Sequence, residues 1–159
     1  SSAHTDDAYR AAYVDGLRNV LDAIARWTTP PRRIIFTSST AVYAQNDGGW
    51  VNEDSPTEPD SFSGRRLLEA EQLLAASPYE TIAVRLGGIY GPGRTGLIDR
   101  VRRGDARRER DRIRWLNLIH RDDIVGALIQ LMRVESPAGF AFFSYHSALA
   151  ASCVSSSQR

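Results

Sequence analysis

The stretch that decides the fold is IIFTSSTAVYA, residues 34–44, where a β-branched and aromatic run passes directly into hydroxyl side chains. Residues 33–37 are apolar on both faces, which predicts a strand buried inside a parallel sheet. A second apolar run, TIAVRL at residues 81–86, predicts another buried strand and leads into the glycine-rich GGIYGPG of residues 87–93. Short apolar strands that alternate with helices indicate an α/β fold with a parallel sheet.

Amphipathic helices separate these strands. Residues 6–27 carry apolar side chains at steps of three and four residues, which predicts a helix with Thr5 as its N-cap. Residues 63–76 predict a second helix. The apolar face of this second helix carries Leu67, Ala70 and Leu74.

The remaining segments are a loop and three shorter elements. Residues 44–60 concentrate Gly, Pro, Asn and Asp, which predicts a surface loop, and long loops in compact domains tend to carry function. Downstream the pattern predicts a helix over 97–103, a strand over 116–119 and a helix over 124–133. Asp122 or Asp123 is the expected N-cap of the last helix. From residue 140 onward the chain passes into small polar residues, where no further strand is expected.

The composition is that of one ordinary domain. The 159 residues are 42% hydrophobic and 25% charged, and no apolar run approaches the ~20 residues of a membrane span. Residues 1–10 are polar and acidic, so no signal peptide is visible, and the single cysteine, Cys153, indicates a reducing cytoplasm. We expect a domain over residues 1–147 and a polar, disordered tail over residues 148–159.

The charged residues exclude several classes of protein. Basic and acidic residues number 20 and 19, so the net charge of +1 gives no field that attracts nucleic acid. All 20 basic residues are arginine, so there is no lysine for a pyridoxal phosphate Schiff base or a P-loop. Three histidines without neighbouring thiols give no metal-ligand spacing. The arginines of residues 100–114 alternate with acidic side chains, which predicts a solvated, ion-paired loop.

Four segments together resemble one known family. They are residues 34–44 (IIFTSSTAVYA), 63–71 (SGRRLLEAE), 84–94 (VRLGGIYGPGR) and 118–128 (LIHRDDIVGAL). In order and spacing they resemble the C-terminal part of the NAD(P)-dependent epimerases and dehydratases, a branch of the extended short-chain dehydrogenases/reductases. The resemblance implies a Rossmann fold that binds NAD or NADP and acts on a nucleotide sugar or a related carbonyl compound.

The pyrophosphate-binding turn of that family has no counterpart in this sequence. The turn is a glycine-rich motif after the first strand, where N–H groups at a helix N-terminus meet the pyrophosphate. No such pattern follows an apolar run here, and the first predicted helix matches the family's helix between its fourth and fifth strands. The resemblance therefore implies an α/β fold: part of a Rossmann-like parallel sheet with flanking helices, in which the N-terminal βαβ units are absent.

The resemblance also changes the expected chemistry. In the family, a serine or threonine orients the substrate, a tyrosine transfers the proton, and a lysine four residues later binds the ribose. Ser39 matches the first position, whereas Phe62 and Arg66 stand at the tyrosine and lysine positions. Neither replacement relays a proton, because Phe62 has no hydroxyl and a guanidinium stays charged. An atypical branch of the family, with S-G-R in place of this motif, resembles the sequence more closely still.

Candidate site residues fall into three roles. The catalytic candidates are Ser39, which would orient the substrate, and Tyr43, which would supply the missing phenol. The cofactor candidates are Thr37, Ser38, Arg66, Leu86, Gly87 and Ile89. The substrate candidates are Gly88, Tyr90, Arg94 and His120. The alternative is structural in each case: turns for the serines and glycines, loop packing for the tyrosines, and support of a helix start for His120.

Three functions stay open at this point. The first is an NAD(P)-dependent epimerase, dehydratase or reductase, impaired or inactive as the sequence stands. The second is a non-catalytic protein that binds or senses a dinucleotide, which Phe62 and Arg66 favour. The third is a truncated product without independent activity, which the absent glycine turn favours. A homodimer through residues 6–27 and 63–76 is also expected, because each helix has more apolar residues than one sheet face would cover.

Overall fold

The computed structural model describes residues 3–45, 47–106, 115–135, 139–143 and 145–146. The helices and strands follow one another as α1 (Asp6–Tyr9), a π-helical segment (Arg10–Asp15), α2 (Gly16–Ile24), β1 (Ile34–Ser39), a 3₁₀ turn (Thr40–Val42), α3 (Phe62–Ala75), β2 (Thr81–Leu86), β3 (Gly88–Tyr90), α4 (Gly96–Arg102), β4 (Asn117–His120), α5 (Arg121–Arg133), β5 (Gly139–Phe143) and β6 (Tyr145–His146). The predicted tail over residues 148–159 and residues 107–114 of the arginine-rich segment lie outside the described residues.

Strands β1, β2 and β5 form one parallel sheet in the order β1-β2-β5. The pairing of β1 with β2 runs from Ile34 beside Thr81 to Ser39 beside Leu86, so the carboxyl ends of the two strands lie level. Helix α3 connects β1 to β2, because parallel neighbours need a crossover connection. The parallel α/β prediction is thereby confirmed.

The third strand of this sheet contradicts the expectation that no strand follows residue 140. Gly139–Phe143 pairs in parallel with β2, and Phe143 lies beside Leu86. Its sequence, GFAFF, is short but apolar and aromatic, and these residue types favour a strand when a partner strand is available. A second small sheet has the order β3-β4-β6, in which β3 and β4 are parallel while β4 and β6 are antiparallel.

Alternate residues of β2 belong to two apolar cores on opposite faces of the sheet. The first core joins β2 to the first helical run and to α3 through Val14, Leu17, Ala70, Leu74 and Ala83. The second joins β2 to β4 and α5 through Ile82, Val84, Leu86, Ile119 and Ile124. Helices therefore cover both faces of the sheet, which is why β2 is apolar on both sides.

The first helical run is close to the one predicted over 6–27. It passes from α1 through the π-helical segment into α2 without a break and ends at Ile24. Thr5 is its N-cap as predicted, because the Thr5 hydroxyl accepts from the Ala8 N–H. Trp27 lies beyond the end of the run and is exposed, so it does not extend the apolar face.

The cap predicted for the last helix is wrong. His120 occupies the N-cap position of α5, and its Nδ1 accepts from the Asp122 N–H at 3.2 Å. Asp122 and Asp123 lie inside the first turn, where their negative charge favours the positive end of the helix dipole. An imidazole can cap a helix because its acceptor nitrogen reaches a backbone N–H of the first turn that has no partner within the helix, as a carboxylate oxygen would.

Candidate functional site

The carboxyl ends of β1 and β2 form the edge at which the sequence predicts a site. Ser39 ends β1 and lies beside Leu86, which ends β2. The Ser39 hydroxyl caps the following 3₁₀ turn, because its Oγ accepts from the Ala41 N–H at 3.2 Å. That contact uses the oxygen as an acceptor and leaves the hydroxyl hydrogen for a ligand. The turn therefore holds Ser39 in place without using its donor.

The two residues before Ser39 differ in their access to solvent. Thr37 is exposed, whereas Ser38 is buried, and its Oγ has no hydrogen-bond partner within the part of the chain that the structure describes. Ser38 lies beside Arg85 in the strand register. Thr37 and Ser38 thus both lie near the carboxyl end of β1, but only Thr37 is exposed to a ligand.

Further candidate site residues lie in the turn that follows β2. Gly87 is buried, and a Cβ at this position would lie 2.5 Å from Asn117 Oδ1, so only glycine fits between β2 and β4. Gly88 is exposed, whereas Ile89 packs against the second apolar core. Strand β3 therefore continues the line of candidate residues from the end of β2 toward β4.

Tyr90 and His120 meet where β3 and β4 run side by side. Their ring centroids are 5.1 Å apart. Because His120 Nδ1 accepts from the Asp122 N–H, Nε2 is the N–H donor of the neutral ring. Arg94 is exposed in the turn after β3, and its backbone N–H donates to the Gly91 carbonyl at 2.8 Å. The predicted substrate residues therefore share the rim formed by β3, β4 and this turn.

Phe62 begins α3 inside a cluster of aromatic rings. Its ring centroid lies 5.0 Å from that of His4 and 5.5 Å from that of Tyr9. Tyr9 in turn lies 5.2 Å from Tyr13. The side chain at the position that the resemblance gives to a proton-transferring tyrosine therefore packs the start of the first helical run against α3.

Arg66 lies one turn further along α3, and two carboxylates engage its guanidinium. Nε and Nη2 donate to the two oxygens of Asp6 at 2.8 Å, and Nη1 donates to Glu69 at 2.7 Å. The hydrogen bonds with Asp6 raise the pKa of Arg66 and lower the pKa of Asp6. A ribose that binds Arg66 must displace a carboxylate or use the remaining N–H groups.

A buried ion pair that the sequence did not predict joins β2 to α3. Arg85 and Glu71 are 3% and 1% exposed, and Arg85 donates to the Glu71 carboxylate through Nε at 3.1 Å and Nη2 at 2.8 Å. Burial disfavours the charged form of Arg85, but hydrogen bonds with Glu71 and Tyr43 outweigh this effect and raise its pKa. The available signal was a lone charged residue in the apolar run TIAVRL.

The same network fixes Tyr43 and the loop that follows it. The Tyr43 hydroxyl accepts from Arg85 Nη1 at 2.8 Å and donates to the Asn52 carbonyl at 2.7 Å. The Arg85 guanidinium lies 5.1 Å from the centroid of the Tyr43 ring. The hydroxyl that the sequence analysis offers as a substitute phenol thus uses its hydrogen to anchor the loop over residues 44–60.

Two further observations concern metals and membranes. Among the described residues, no three His, Cys, Asp or Glu side chains lie close enough together to hold a metal ion. In the same part of the chain, none of the helices has the length and apolar character needed to cross a bilayer.

Known sequences match this chain over most of its length. A sequence model of the NAD dependent epimerase/dehydratase family matches residues 1–139. Protein YeeZ of Escherichia coli strain K12 is 34% identical over 128 residues, which make up 80% of this chain and 43% of YeeZ. The chain therefore aligns with less than half of that relative.

Solved structures share the fold. A Methylobacillus flagellatus protein assigned to the NAD-dependent epimerases/dehydratases is 38% identical, with a TM-score of 0.73, over 89% of this chain and 50% of that one. WbmG of Bordetella bronchiseptica, solved in complex with NAD and UDP, is 20% identical, with a TM-score of 0.70, over 89% of this chain and 47% of WbmG. These likenesses confirm the Rossmann-like prediction, and the chain spans about half the length of both structures.

Proposed function

Because the chain belongs to the NAD dependent epimerase/dehydratase family, we propose that it forms the nicotinamide and substrate side of a cytoplasmic NAD(P)-dependent site. The substrate class is a nucleotide sugar or a related carbonyl compound. The reaction class is epimerisation, dehydration or reduction, for which the dinucleotide supplies hydride transfer. Position 62 carries no hydroxyl, so proton transfer is impaired, and turnover is slow or absent.

The strand register is the observation that supports this proposal. It sets Ser39 beside Leu86, from which Gly87 leads to Gly88 and Tyr90 on β3. Ligands of open α/β sheets bind outside the carboxyl ends of the strands. The residues expected to touch cofactor and substrate thus follow one continuous edge at the place where such ligands bind.

The proposed ligand contacts divide along this edge. Leu86 ends β2, Gly87 follows it, and Thr37 lies two residues before the end of β1, which suits the nicotinamide-ribose end of the cofactor. Arg94 and His120 lie on the rim beyond, where an exposed guanidinium and a ring N–H suit the oxygens of a phosphorylated substrate. Since the sequence has no glycine-rich turn for the pyrophosphate, we expect this chain alone to bind whole dinucleotides weakly.

Two-dimensional NMR of the isotope-labelled chain tests the proposal. UDP-glucose and nicotinamide mononucleotide are added separately to millimolar concentration. We expect the backbone signals of Ser39, Gly88 and His120 to shift, and the signal of Ser77 at the opposite end of the sheet to stay. Ser39→Ala should weaken the response, whereas Ser77→Ala, a matched loss of one hydroxyl, should not. Shifts with neither probe, or shifts confined to another surface, contradict the proposal.

A non-catalytic dinucleotide-binding protein is the second candidate function. What favours it is that Phe62 packs between His4 and Tyr9, while Arg66 is held by Asp6. Both positions of the family's proton relay thus have structural partners. This candidate predicts ligand binding without turnover, even when a dinucleotide-binding half is supplied.

We also propose a homodimer through the helices of residues 6–27 and 63–76. Val20 supports it, because this apolar side chain is 50% exposed on α2. Leu17 lies in the intramolecular core, so a charge at Leu17 tests folding and not the interface. We expect Val20→Asp to give a monomer by light scattering at micromolar concentration, while Ile129→Asp, at an exposed position of α5, leaves the dimer intact. A folded monomer of the unmodified chain contradicts this proposal.

A further inference from the structure

Three buried side-chain oxygens have no hydrogen-bond partner within the described residues: Ser38 Oγ, Ser77 Oγ and Asn117 Oδ1. A buried polar group without a partner destabilises a fold, so each of them calls for an explanation. Ser77 lies between α3 and β2, at the amino end of β2. Asn117 begins β4 and lies against the turn at the carboxyl end of β2, within the proposed site.

The Asn117 amide is wedged against this turn. Its Oδ1 and Cγ would lie 2.5 and 3.1 Å from a Cβ at Gly87, so the absence of that atom is what makes room for the amide. Because the amide is planar, an inward Oδ1 turns Nδ2 away from Gly87. Nδ2 is not among the buried unpaired atoms. Asn117 is partly exposed, and Nδ2 is the end of its amide that faces away from Gly87.

This arrangement is unfavourable for stability. An apolar side chain of similar size at position 117 would remove the unpaired Oδ1 and would leave no new buried group without a hydrogen-bond partner. Residues that break a packing rule in this way are expected where a protein binds or reacts. The unpaired oxygen is thus explained if the outward Nδ2 has a ligand to hold.

We propose that Asn117 is a ligand-binding residue whose Nδ2 donates to an acceptor oxygen of the bound small molecule, and that Gly87 positions its amide. This inference rests on the proposed function, because it assumes a ligand at the carboxyl end of β2. Two parts of the expected ligands share the acceptor chemistry. One is the carboxamide carbonyl of nicotinamide, and the other is the set of hydroxyl and phosphate oxygens of a nucleotide sugar.

Thermal unfolding tests the first half of the inference. We expect Asn117→Leu to raise the melting temperature by about 3 °C, because it removes the unpaired oxygen. Ser77→Ala is the matched control and should also raise it, since that hydroxyl is unpaired as well. A lower melting temperature for Asn117→Leu means that Oδ1 has a partner in solution, and this overturns the inference while the proposed function stands.

Affinity tests the second half. Dissociation constants for UDP-glucose and nicotinamide mononucleotide are measured by NMR titration of the unmodified chain and of Asn117→Leu, Asn117→Asp and Ser77→Ala. Asn117→Asp keeps the shape and removes the N–H donor, so it decides the matter if Asn117→Leu does not fold. We expect both Asn117 variants to bind one probe about fivefold more weakly. Ser77→Ala should bind like the unmodified chain.

The outcomes separate the two proposals. A loss confined to the mononucleotide assigns Nδ2 to the nicotinamide carboxamide, and a loss confined to UDP-glucose assigns it to the substrate. Unchanged affinity of the Asn117 variants for both probes overturns the inference alone. Failure of the unmodified chain to bind either probe overturns the proposed function and the inference with it.

Discussion

Helix α3 takes part in two arginine–carboxylate pairs that have similar geometry and different surroundings. Arg85 lies 2.8 Å from Glu71 with both side chains almost fully buried, at 4% and 1% exposure. Arg66 lies at the same distance from Asp6, but these side chains are 24% and 46% exposed. A buried ion that loses its partner is strongly disfavoured, whereas an exposed one is resolvated by water. Arg85 is thus fixed in a structural role, whereas Arg66 can exchange its carboxylate partner.

The largest expected effect is the loss of one member of the buried pair. Glu71→Gln removes the carboxylate that pairs with the buried Arg85 guanidinium, so we expect the free energy of unfolding to fall by about 3–5 kcal/mol. Urea unfolding at neutral pH measures it. Glu69→Gln, the same change on the exposed side of the helix, is the control and should have a small effect.

Replacing both members of the pair sharpens this test. Arg85→Met combined with Glu71→Leu removes both charges together, so we expect most of the lost stability to return. The loop after Tyr43 should nevertheless loosen, because Arg85 no longer donates to the Tyr43 hydroxyl. A double variant as unstable as the single one would show that the pair matters for more than its charge balance.

The next effect concerns how closely the start of α3 approaches the 3₁₀ turn after β1. A Cβ at Gly64 would lie 2.1 Å from the Ala41 carbonyl oxygen and 2.6 Å from Pro59. We expect Gly64→Ala to push the helix away and lower the free energy of unfolding by about 3 kcal/mol. Calorimetry of this variant beside Gly126→Ala is the measurement, since Gly126 lies in α5 with no atom near its missing Cβ. Gly126→Ala should stabilise by about 1 kcal/mol.

Regular repetition explains which parts of the fold were predictable from the sequence. The apolar residues of α3 recur at helical steps, and those of β2 fill a run with turn residues on both sides, so both elements were located closely. The same repetition gives the expected position of the site, because parallel strands place their carboxyl ends together. β5 was missed because five residues beside a polar stretch carry little periodic signal.

Pairings between distant residues were not predictable in this way. Arg85 and Glu71 are 14 residues apart on different elements, and no local pattern selects the partner of a buried charge. The resemblance assigns Arg66 to a ribose by its position in a motif, but two of its N–H groups donate to Asp6, 60 residues away. The Asn117 amide is likewise defined by its contact with Gly87, which only the folded chain brings about.

A smaller effect is expected from the exposed pair, and it depends on pH. The hydrogen bond with Arg66 lowers the pKa of Asp6 below its ordinary 3.8, so the folded state favours the ionised form. The pair therefore contributes stability that is fully present above that value and is lost as the pH falls through the lowered pKa. We expect Asp6→Asn to reduce stability slightly at neutral pH and to remove this part of the acid dependence. Urea unfolding at neutral and at acidic pH measures it.

Two results would contradict the prediction for Asp6. One is a loss at neutral pH as large as that of Glu71→Gln, which would place both pairs in the same class. The other is an unchanged acid dependence in Asp6→Asn, which would mean that Arg66 does not hold Asp6 in solution. Added salt should weaken the Asp6 contribution and leave the Glu71 contribution nearly intact, because screening acts on exposed charges.

The smallest expected effect is on turnover, and it tests whether the exposed Arg66 can support proton transfer. Phe62→Tyr restores a phenol at the start of α3, but we expect no efficient turnover, because Arg66 stays charged and cannot pass a proton on as a lysine amine can. The guanidinium is also a planar fork held by Asp6. Phe62→Tyr with Arg66→Lys is the informative comparison. The turnover of both variants is measured as the change in nicotinamide absorbance, in a polypeptide that also carries a dinucleotide-binding half. A large gain from Phe62→Tyr alone would show that Arg66 supports proton transfer after all.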